Sequence, residues 1–248
     1  MTRRHYYHIA ALPALGDLGS APPWNHSELL NHLSDVPRVR QIVAALLLGD
    51  DLVQREALLA GELEQVSPAV LTPEQVADEQ PLPEPLSGPE GEGSPRRVGD
   101  AVWAAYFRYA LEVAGEQESP FLRAWVGHEV TLRNALASAR ARALDLDPGD
   151  YLVAPDLGQT DEDLTALLGE WSAAADPLAA ERVLDRARWQ WLNDHDGWFT
   201  FADDEVAVYA ARLMLLWRWH RVGTAASPRS EERSRRPAEP AQQKGPVE

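Results

Sequence analysis

Charged side chains share a face with apolar ones on a long predicted helix in the middle of the chain. Glu129 and Arg140 fall on the same helical stripe as Leu132, and Arg133 lies just beside that stripe. A carboxylate next to arginines could act as a general acid or base, or it could form a structural ion pair. Which of the two applies depends on what packs against this face.

A second charged row lies on a later predicted helix. Glu181 and Asp185 are four residues apart, and Arg188 follows Asp185 by three, so the three side chains can share one face. If the two rows meet across a helix pair, each charge gains a partner and avoids the cost of several kcal/mol for unpaired burial. We therefore predict a structural charge lattice, formed by Glu129, Arg133, Arg140, Glu181, Asp185 and Arg188.

Two other interpretations of these charges stay open. They could be solvated helix faces with local pairs one turn apart, or Glu129, Glu181 and Asp185 could supply an acid–base pair. Acid–base catalysis needs carboxylates with different pKa values, whereas the neighbouring arginines would keep all three ionised. The sequence favours cross-linking of helices over catalysis.

Metal and nucleotide sites have little support in the sequence. The chain has no cysteine, and His128 with Glu129 lacks the second histidine one turn later that a zinc-binding helix supplies. Phosphate-loop, dinucleotide-binding and nucleophile-elbow motifs are absent as well. We expect a chain that is not an enzyme, with no catalytic, cofactor-binding or metal-binding residues.

One hydrolase alternative rests on a short pair of residues. His195 and Asp196 are similar to the paired metal ligands of all-helical HD phosphohydrolases, which need further ligands on neighbouring helices. His220 and Asp185 are the candidates for those ligands. An HD-type metal-dependent hydrolase is therefore kept as the least favoured hypothesis.

Tryptophans are frequent towards the end of the predicted folded region. Trp189 and Trp191 are about 200° apart on one predicted helix, as are Trp217 and Trp219 on the next. Neither pair can point into a single core, so these helices either pack on several sides or present tryptophans to a partner. The four tryptophans are our candidate interface. An unrelated helical scaffold or regulatory interaction protein that binds through this Trp-rich end is the alternative function.

Composition excludes several classes of protein. The 248 residues carry a formal net charge of -16, which argues against nucleic-acid binding because phosphates require clustered lysine and arginine. The longest apolar run, residues 42–48, is far shorter than the ~20 residues of a membrane span. The N-terminal MTRRHYYHIAALPALGD lacks the apolar segment of a signal peptide. We expect a cytoplasmic protein that reaches a membrane only through a partner.

Capping residues and prolines predict where several helices begin. Thr72–Pro73, Ser119–Pro120 and Asp176–Pro177 each place a capping side chain before a proline, and Gly49 is expected to end a helix. Apart from a short extended segment at residues 6–12, every predicted element is a helix, so the fold class is mainly α, a multi-helix bundle. The predicted parts are a helical part (1–78), an exposed acidic Pro/Gly-rich linker (79–98), a main helical part (99–223) and a disordered tail (224–248).

Three segments together resemble a known family. YYHIAALP, EVTLRNALASARA and ERVLDRARWQWLNDHDGWFTFADDEVAVYAARLMLLWRW are similar to an uncharacterised bacterial family encoded among V/A-type ATPase subunits, which in turn resembles the V-type C or d subunit. The resemblance covers most of residues 5–222, without the linker. The matching residues are Glu129, Arg133, Asn134, Arg140, Glu181, Asp185, Trp189, Tyr209, Arg212, Arg218 and Trp219.

The resemblance implies a helical, funnel-shaped adaptor without enzymatic activity. Such a subunit would sit on the cytoplasmic face of the membrane rotor ring, receive the central stalk, and support proton or other ion transport coupled to ATP. It implies framework roles for most of the matching residues and a peripheral position at the inner face of the plasma membrane. The chain is short for a three-part C subunit, and the linker and the tail lie outside the resemblance.

Overall fold

Nine α-helices make up most of the part of the chain that the computed structural model describes, residues 3–87, 98–159, 162–197, 200 and 202–235. They are α1 (Arg3–Ala10), α2 (His26–His32), α3 (Pro37–Leu59), α4 (Pro73–Val76), α5 (Val98–Glu116), α6 (Pro120–Ala143), α7 (Thr165–Ser172), α8 (Pro177–Asp194) and α9 (Asp203–Arg235). These residues contain no strand, and the predicted mainly α fold is confirmed.

Three of the predicted helix starts have the expected hydrogen bonds. Thr72 Oγ1 accepts the backbone N–H of Gln75 at 3.2 Å, and Asp176 Oδ1 accepts that of Ala179 at 2.7 Å. Ser119 caps α6 in the same way, and a proline follows each cap. These side chains satisfy backbone donors that the first turn of a helix leaves without a partner.

Helix α3 is continuous, so the prediction that Gly49 ends a helix is wrong. A Cβ atom at Gly49 would lie 2.6 Å from the hydroxyl of Tyr106 on α5, which is much closer than van der Waals contact. The glycine thus lets α5 approach α3 closely, and buried residues on both sides of it keep the helix in the core. Gly49 therefore permits close packing of two helices and does not end a helix.

Helix α3 lies at the centre of the molecule. It packs against α5 and α9, while α6 packs against α5, α7 and α9, and α8 packs against α7 and α9. The main core therefore includes side chains from α3, α5, α6 and α9. A small second cluster of Leu132, Leu136 and Leu184 joins α6 to α8. This arrangement places the charged face of α6 next to α8.

The predicted extended segment at residues 6–12 is wrong for residues 6–10, which belong to α1. His8 is buried there, and its Nε2 lies 3.1 Å from Asp35 Oδ1. Its carbonyl oxygen accepts a hydrogen bond from His32 Nε2 at 3.0 Å. A helix pairs its own backbone groups, whereas a lone strand with no neighbouring strand would leave them without partners.

The described parts of the predicted linker and tail contain helical structure. Most of residues 79–87 are exposed, as expected, but residues 84–86 form a 3₁₀ turn packed against α5, and Leu86 is buried in the core. The two leucines of this stretch, Leu82 and Leu86, stand among prolines and give no extended periodic pattern, so the sequence does not predict the burial of Leu86. Helix α9 continues to Arg235, where a disordered tail was expected from residue 224. Residues 88–97 and 236–248 lie outside the described residues.

Within the described part of the chain, no helix has both the length and the hydropathy needed to cross a membrane.

We predict that Gly49→Ala lowers the free energy of unfolding by about 1–3 kcal/mol, because the added methyl group displaces Tyr106. Alanine has a higher helix propensity than glycine, which by itself would stabilise the helix by about 1 kcal/mol. The clash must outweigh this gain. Urea denaturation followed by circular dichroism measures the change. The control is Gly169→Ala on α7, where no atom lies within 4 Å of the new Cβ. Gly169→Ala should leave stability equal or higher, and a stabilising Gly49→Ala would contradict the packing argument.

Candidate functional site

Arg188 on α8 is the centre of a largely buried group of charges. Its Nε lies 2.8 Å from Glu129 Oε1 and its Nη2 lies 3.2 Å from Glu129 Oε2, so the guanidinium binds the carboxylate with two parallel hydrogen bonds. Its Nη1 donates to Asp185 Oδ1 at 3.1 Å, one turn earlier on α8. This geometry uses the planar fork of arginine, which lysine does not have.

Arg218 brings the last helix into the same group. Its Nη1 donates to Asp185 Oδ1 at 3.0 Å, and the Asp185 side chain is only 1% exposed. Glu181 lies at the edge, 3.9 Å from Arg188 and 3.8 Å from Arg218. We call Glu129, Glu181, Asp185, Arg188 and Arg218 the charge cluster. It connects α6, α8 and α9.

Their neighbours in the cluster hold Glu129, Arg188 and Arg218 in the charged form. Burial favours the neutral form of Glu129 and is the largest single influence on it. The charge and hydrogen bonds of Arg188, with smaller contributions from His128 and Arg218, outweigh burial and hold the pKa of Glu129 below its ordinary value. Burial likewise opposes the charge of Arg188 and Arg218, but their carboxylate neighbours raise both pKa values. A carboxylate held ionised in this way is poorly suited to proton transfer.

Two residues of the predicted charge lattice lie outside the charge cluster. Arg133 is near Asp100 and Glu56, at 3.7 and 3.9 Å, and its guanidinium lies 4.6 Å from the centre of the Trp103 ring. Arg140 lies over the ring of Trp171 at 5.2 Å. The structure thus brings Glu129, Glu181, Asp185 and Arg188 together. Arg133 and Arg140 face aromatic rings instead.

A cavity of about 550 Å³ lies beside the charge cluster. Its volume is within the range of small-molecule sites, roughly 300–1,000 Å³. The charged residues of α6, α8 and α9 that border it are Glu129, Arg133, Arg140, Glu181, Arg188 and Arg218. Apart from Asp185, all the residues of the predicted lattice therefore border the same space.

The four candidate interface tryptophans all make contacts inside the molecule. The ring of Trp191 lies between two histidine rings, with centroids 4.9 Å from His128 and 3.6 Å from His195. Trp217 Nε1 donates to the carbonyl oxygen of Trp24 at 2.7 Å. The other two lie beside arginines, Trp189 near Arg212 and Trp219 near Arg182. Packing on several sides accounts for tryptophans on opposite faces of one helix.

The residues of the HD-type alternative have other partners. Asp196 Oδ2 lies 2.6 Å from Arg212 Nη1, and the ring of His195 lies on Trp191. Asp185 lies between two arginines of the charge cluster. Among the described residues, no group of three or more histidine, aspartate or glutamate side chains is placed to hold a metal ion.

Sequence reasoning missed a pair of buried aspartates on α3. Asp50 accepts from Arg221 of α9 at 2.6 Å and from Gln54 at 3.0 Å. Asp51 accepts the backbone N–H groups of residues 69–71, each at 2.8 Å. The available signal was the acidic pair inside the apolar run LLLGDDLV, since buried carboxylates need partners.

The comparison with known families covers the part of the chain that holds the site. The family described as protein of unknown function (DUF2764) matches residues 96–227, more than half of the chain. The chain belongs to this family. The DUF2764 region contains the whole charge cluster and both arginines beside it, while α3 contributes the opposite wall of the cavity from outside the matched residues. No curated protein and no solved structure matches the chain.

We predict that Arg188→Gln destabilises the protein by about 3–5 kcal/mol, because it leaves the largely buried Glu129 without its bonded cation and Asp185 with only Arg218. The matched control is Arg186→Gln on the same helix, whose exposed pair with Glu170 should contribute less than about 1 kcal/mol. Chemical denaturation of both variants measures the difference. Equal losses in the two variants would show that the charge cluster has no special structural role.

We also predict that stability depends on acid pH through Glu129. Its pKa is lower in the folded protein than in the unfolded chain, so its stabilisation is complete above the unfolded pKa of about 4.3. That stabilisation is lost as the pH falls through the folded-state pKa. The difference in unfolding free energy between the wild type and Glu129→Gln should therefore be largest near pH 7 and shrink below about pH 4. Denaturant titrations between pH 3 and pH 8 measure it, and a constant difference would contradict this account.

Proposed function

We propose that this chain is an adaptor subunit of a V/A-type rotary ATPase that has no enzymatic activity of its own. It would link the central stalk to the membrane rotor ring and support proton or other ion transport coupled to ATP. In this role it would reside in the cytoplasm, attached to the inner face of the plasma membrane only through its complex.

The ordered sequence pattern is the main support for this proposal. The blocks EVTLRNALASARA and ERVLDRARWQWLND resemble the family encoded with V/A-type ATPase subunits. In the structure these blocks are α6 and α8, and they supply Glu129, Asp185 and Arg188 of the charge cluster. Glu129 and Asp185, which match the resemblance, therefore take part in the contacts that connect the helices, and Arg188 lies in the same sequence block.

The physical properties of the charge cluster fit a mechanical role. A subunit that transmits torque must resist sliding of its helices past one another. The double hydrogen bond between Arg188 and Glu129 fixes α8 on α6, and the bond between Arg218 and Asp185 fixes α9 on α8. Directional, paired charges of this kind specify one register, as polar residues do at buried positions in coiled coils.

We predict that a tagged copy of the chain, purified from its native cells under mild detergent, carries central-stalk and rotor-ring subunits with it. Mass spectrometry of the purified complex identifies these partners. A stable complex with proteins unrelated to the ATPase would favour the helical scaffold hypothesis instead. A clean monomer from cells that make the ATPase would contradict both binding roles.

Deletion of the rotor-ring gene is the matched control for membrane attachment. The chain should then move from the membrane fraction to the soluble fraction, because none of its described helices is suited to span a bilayer. Unchanged membrane association in the deletion strain would contradict attachment through the ring.

A further inference from the structure

The cavity beside the charge cluster is bordered by two hydrogen-bond donors, Arg133 and Tyr106, that have no short hydrogen bond among the described residues. Arg133 borders it, and the nearest carboxylate oxygens, at 3.7 Å on Asp100 and 3.9 Å on Glu56, lie beyond hydrogen-bond distance. Glu56 instead accepts a hydrogen bond from Trp103 Nε1 at 2.7 Å. The contact with Asp100 is therefore long and weak, so the acidic neighbours balance the charge of Arg133 and leave it able to donate shorter hydrogen bonds to a ligand.

Tyr106 supplies a second unused donor on the same wall. The residue is only 3% exposed, and its hydroxyl makes no hydrogen bond among the described residues. Burial, followed by the negative charges of Glu129 and Asp51, raises the pKa of Tyr106, so the hydroxyl keeps its proton. Tyr106 borders the cavity, so its hydroxyl can donate to an acceptor that is bound there.

One aromatic ring connects the two donors. The guanidinium of Arg133 lies 4.6 Å from the centre of the Trp103 ring, and the ring of Tyr106 meets the same indole edge-on at 5.6 Å. Phe107 and Trp125 extend this aromatic wall, and Leu46 contributes aliphatic surface. The donors therefore lie at the edge of an apolar surface, as is typical of small-molecule sites.

The charge of the wall limits the ligands that fit. Arginines and carboxylates border the cavity in equal numbers. The two arginines of the charge cluster already bind carboxylates, so the cavity has no surplus of cations for a polyphosphate. A neutral molecule, or one with a single negative charge, is compatible with this balance.

We propose that this cavity binds a small organic molecule with an aromatic or branched apolar body and an oxygen acceptor, a carboxylate or an amide, that receives hydrogen bonds from Arg133 and Tyr106. The inference goes beyond the adaptor role and does not depend on it. Binding here would link a small molecule to α3, α5, α6, α8 and α9, which all contribute to the cavity wall.

Three probes with the same body and different head groups test this proposal. They are 3-phenylpropanoate, 3-phenylpropanamide and 3-phenylpropylamine, measured by saturation-transfer NMR and by titration of the full-length protein. The carboxylate and the amide should bind, and the amine should bind more weakly than either. Tyr106→Phe and Arg133→Gln should each weaken the binding of the carboxylate by about fivefold to tenfold, since each removes one hydrogen-bonding group.

Arg186→Gln is the control variant, because its exposed pair with Glu170 does not border the cavity, and its affinities should equal those of the wild type. Tyr106→Phe keeps the packed ring, so it decides the question if Arg133→Gln fails to fold. The proposal is overturned if none of the probes binds at millimolar concentration, if the amine binds best, or if Tyr106→Phe leaves the affinity for the carboxylate unchanged.

Discussion

The double hydrogen bond between Arg188 and Glu129 is the interaction on which the C-terminal half of the molecule depends. A small apolar cluster of Leu132, Leu136 and Leu184 joins α6 to α8, and the Trp191 ring packs near Phe121 and Trp125 towards the start of α6. The ionic contact supplements this small cluster and determines which turn of α8 faces which turn of α6. Arg218 connects α9 to α8 in the same way, through its hydrogen bond to Asp185. A network of buried charges, each with a partner, can specify an arrangement that apolar packing alone would leave less defined.

The same charges explain why a cavity can persist at this junction. Long, paired side chains hold α6, α8 and α9 apart at their charged ends, where apolar side chains would interdigitate and close the space. The walls nearest α3 and α5 are aromatic, and large rigid rings leave gaps at their edges more readily than flexible aliphatic chains do. The cavity and the charge cluster are therefore two consequences of one arrangement of helices.

Much of the architecture could be predicted from local signals. Caps such as Thr72 and Ser119 act within one turn, so a short stretch of sequence contains all the information they need. The tight contact at Gly49 could not be predicted, because its cause is a tyrosine hydroxyl on a helix far away in the chain. Helix α1 was missed for a related reason, since the burial of His8 depends on α2 and Asp35.

The charged residues show the same division between local and distant information. Helical spacing placed Glu129 on one face and Asp185 and Arg188 on another, and complementary signs suggested that the faces meet. Helical spacing does not give the distance between two helices. It therefore groups Arg133 and Arg140 with charged residues that they do not contact. The entry of Arg218 into the charge cluster depends on the tilt of α9, which no sequence pattern specifies.

The adjacent aspartates of α3 limit where the chain can be shortened. Asp50 and Asp51 are successive residues that point to different partners, one to Arg221 near the middle of α9 and the other to the backbone of residues 69–71. A protein cut before Arg221 would retain the apolar face of α9, but the buried carboxylate of Asp50 would lose its cation. The minimal folding unit therefore extends past the last apolar turn of that helix, to a residue whose contribution is electrostatic.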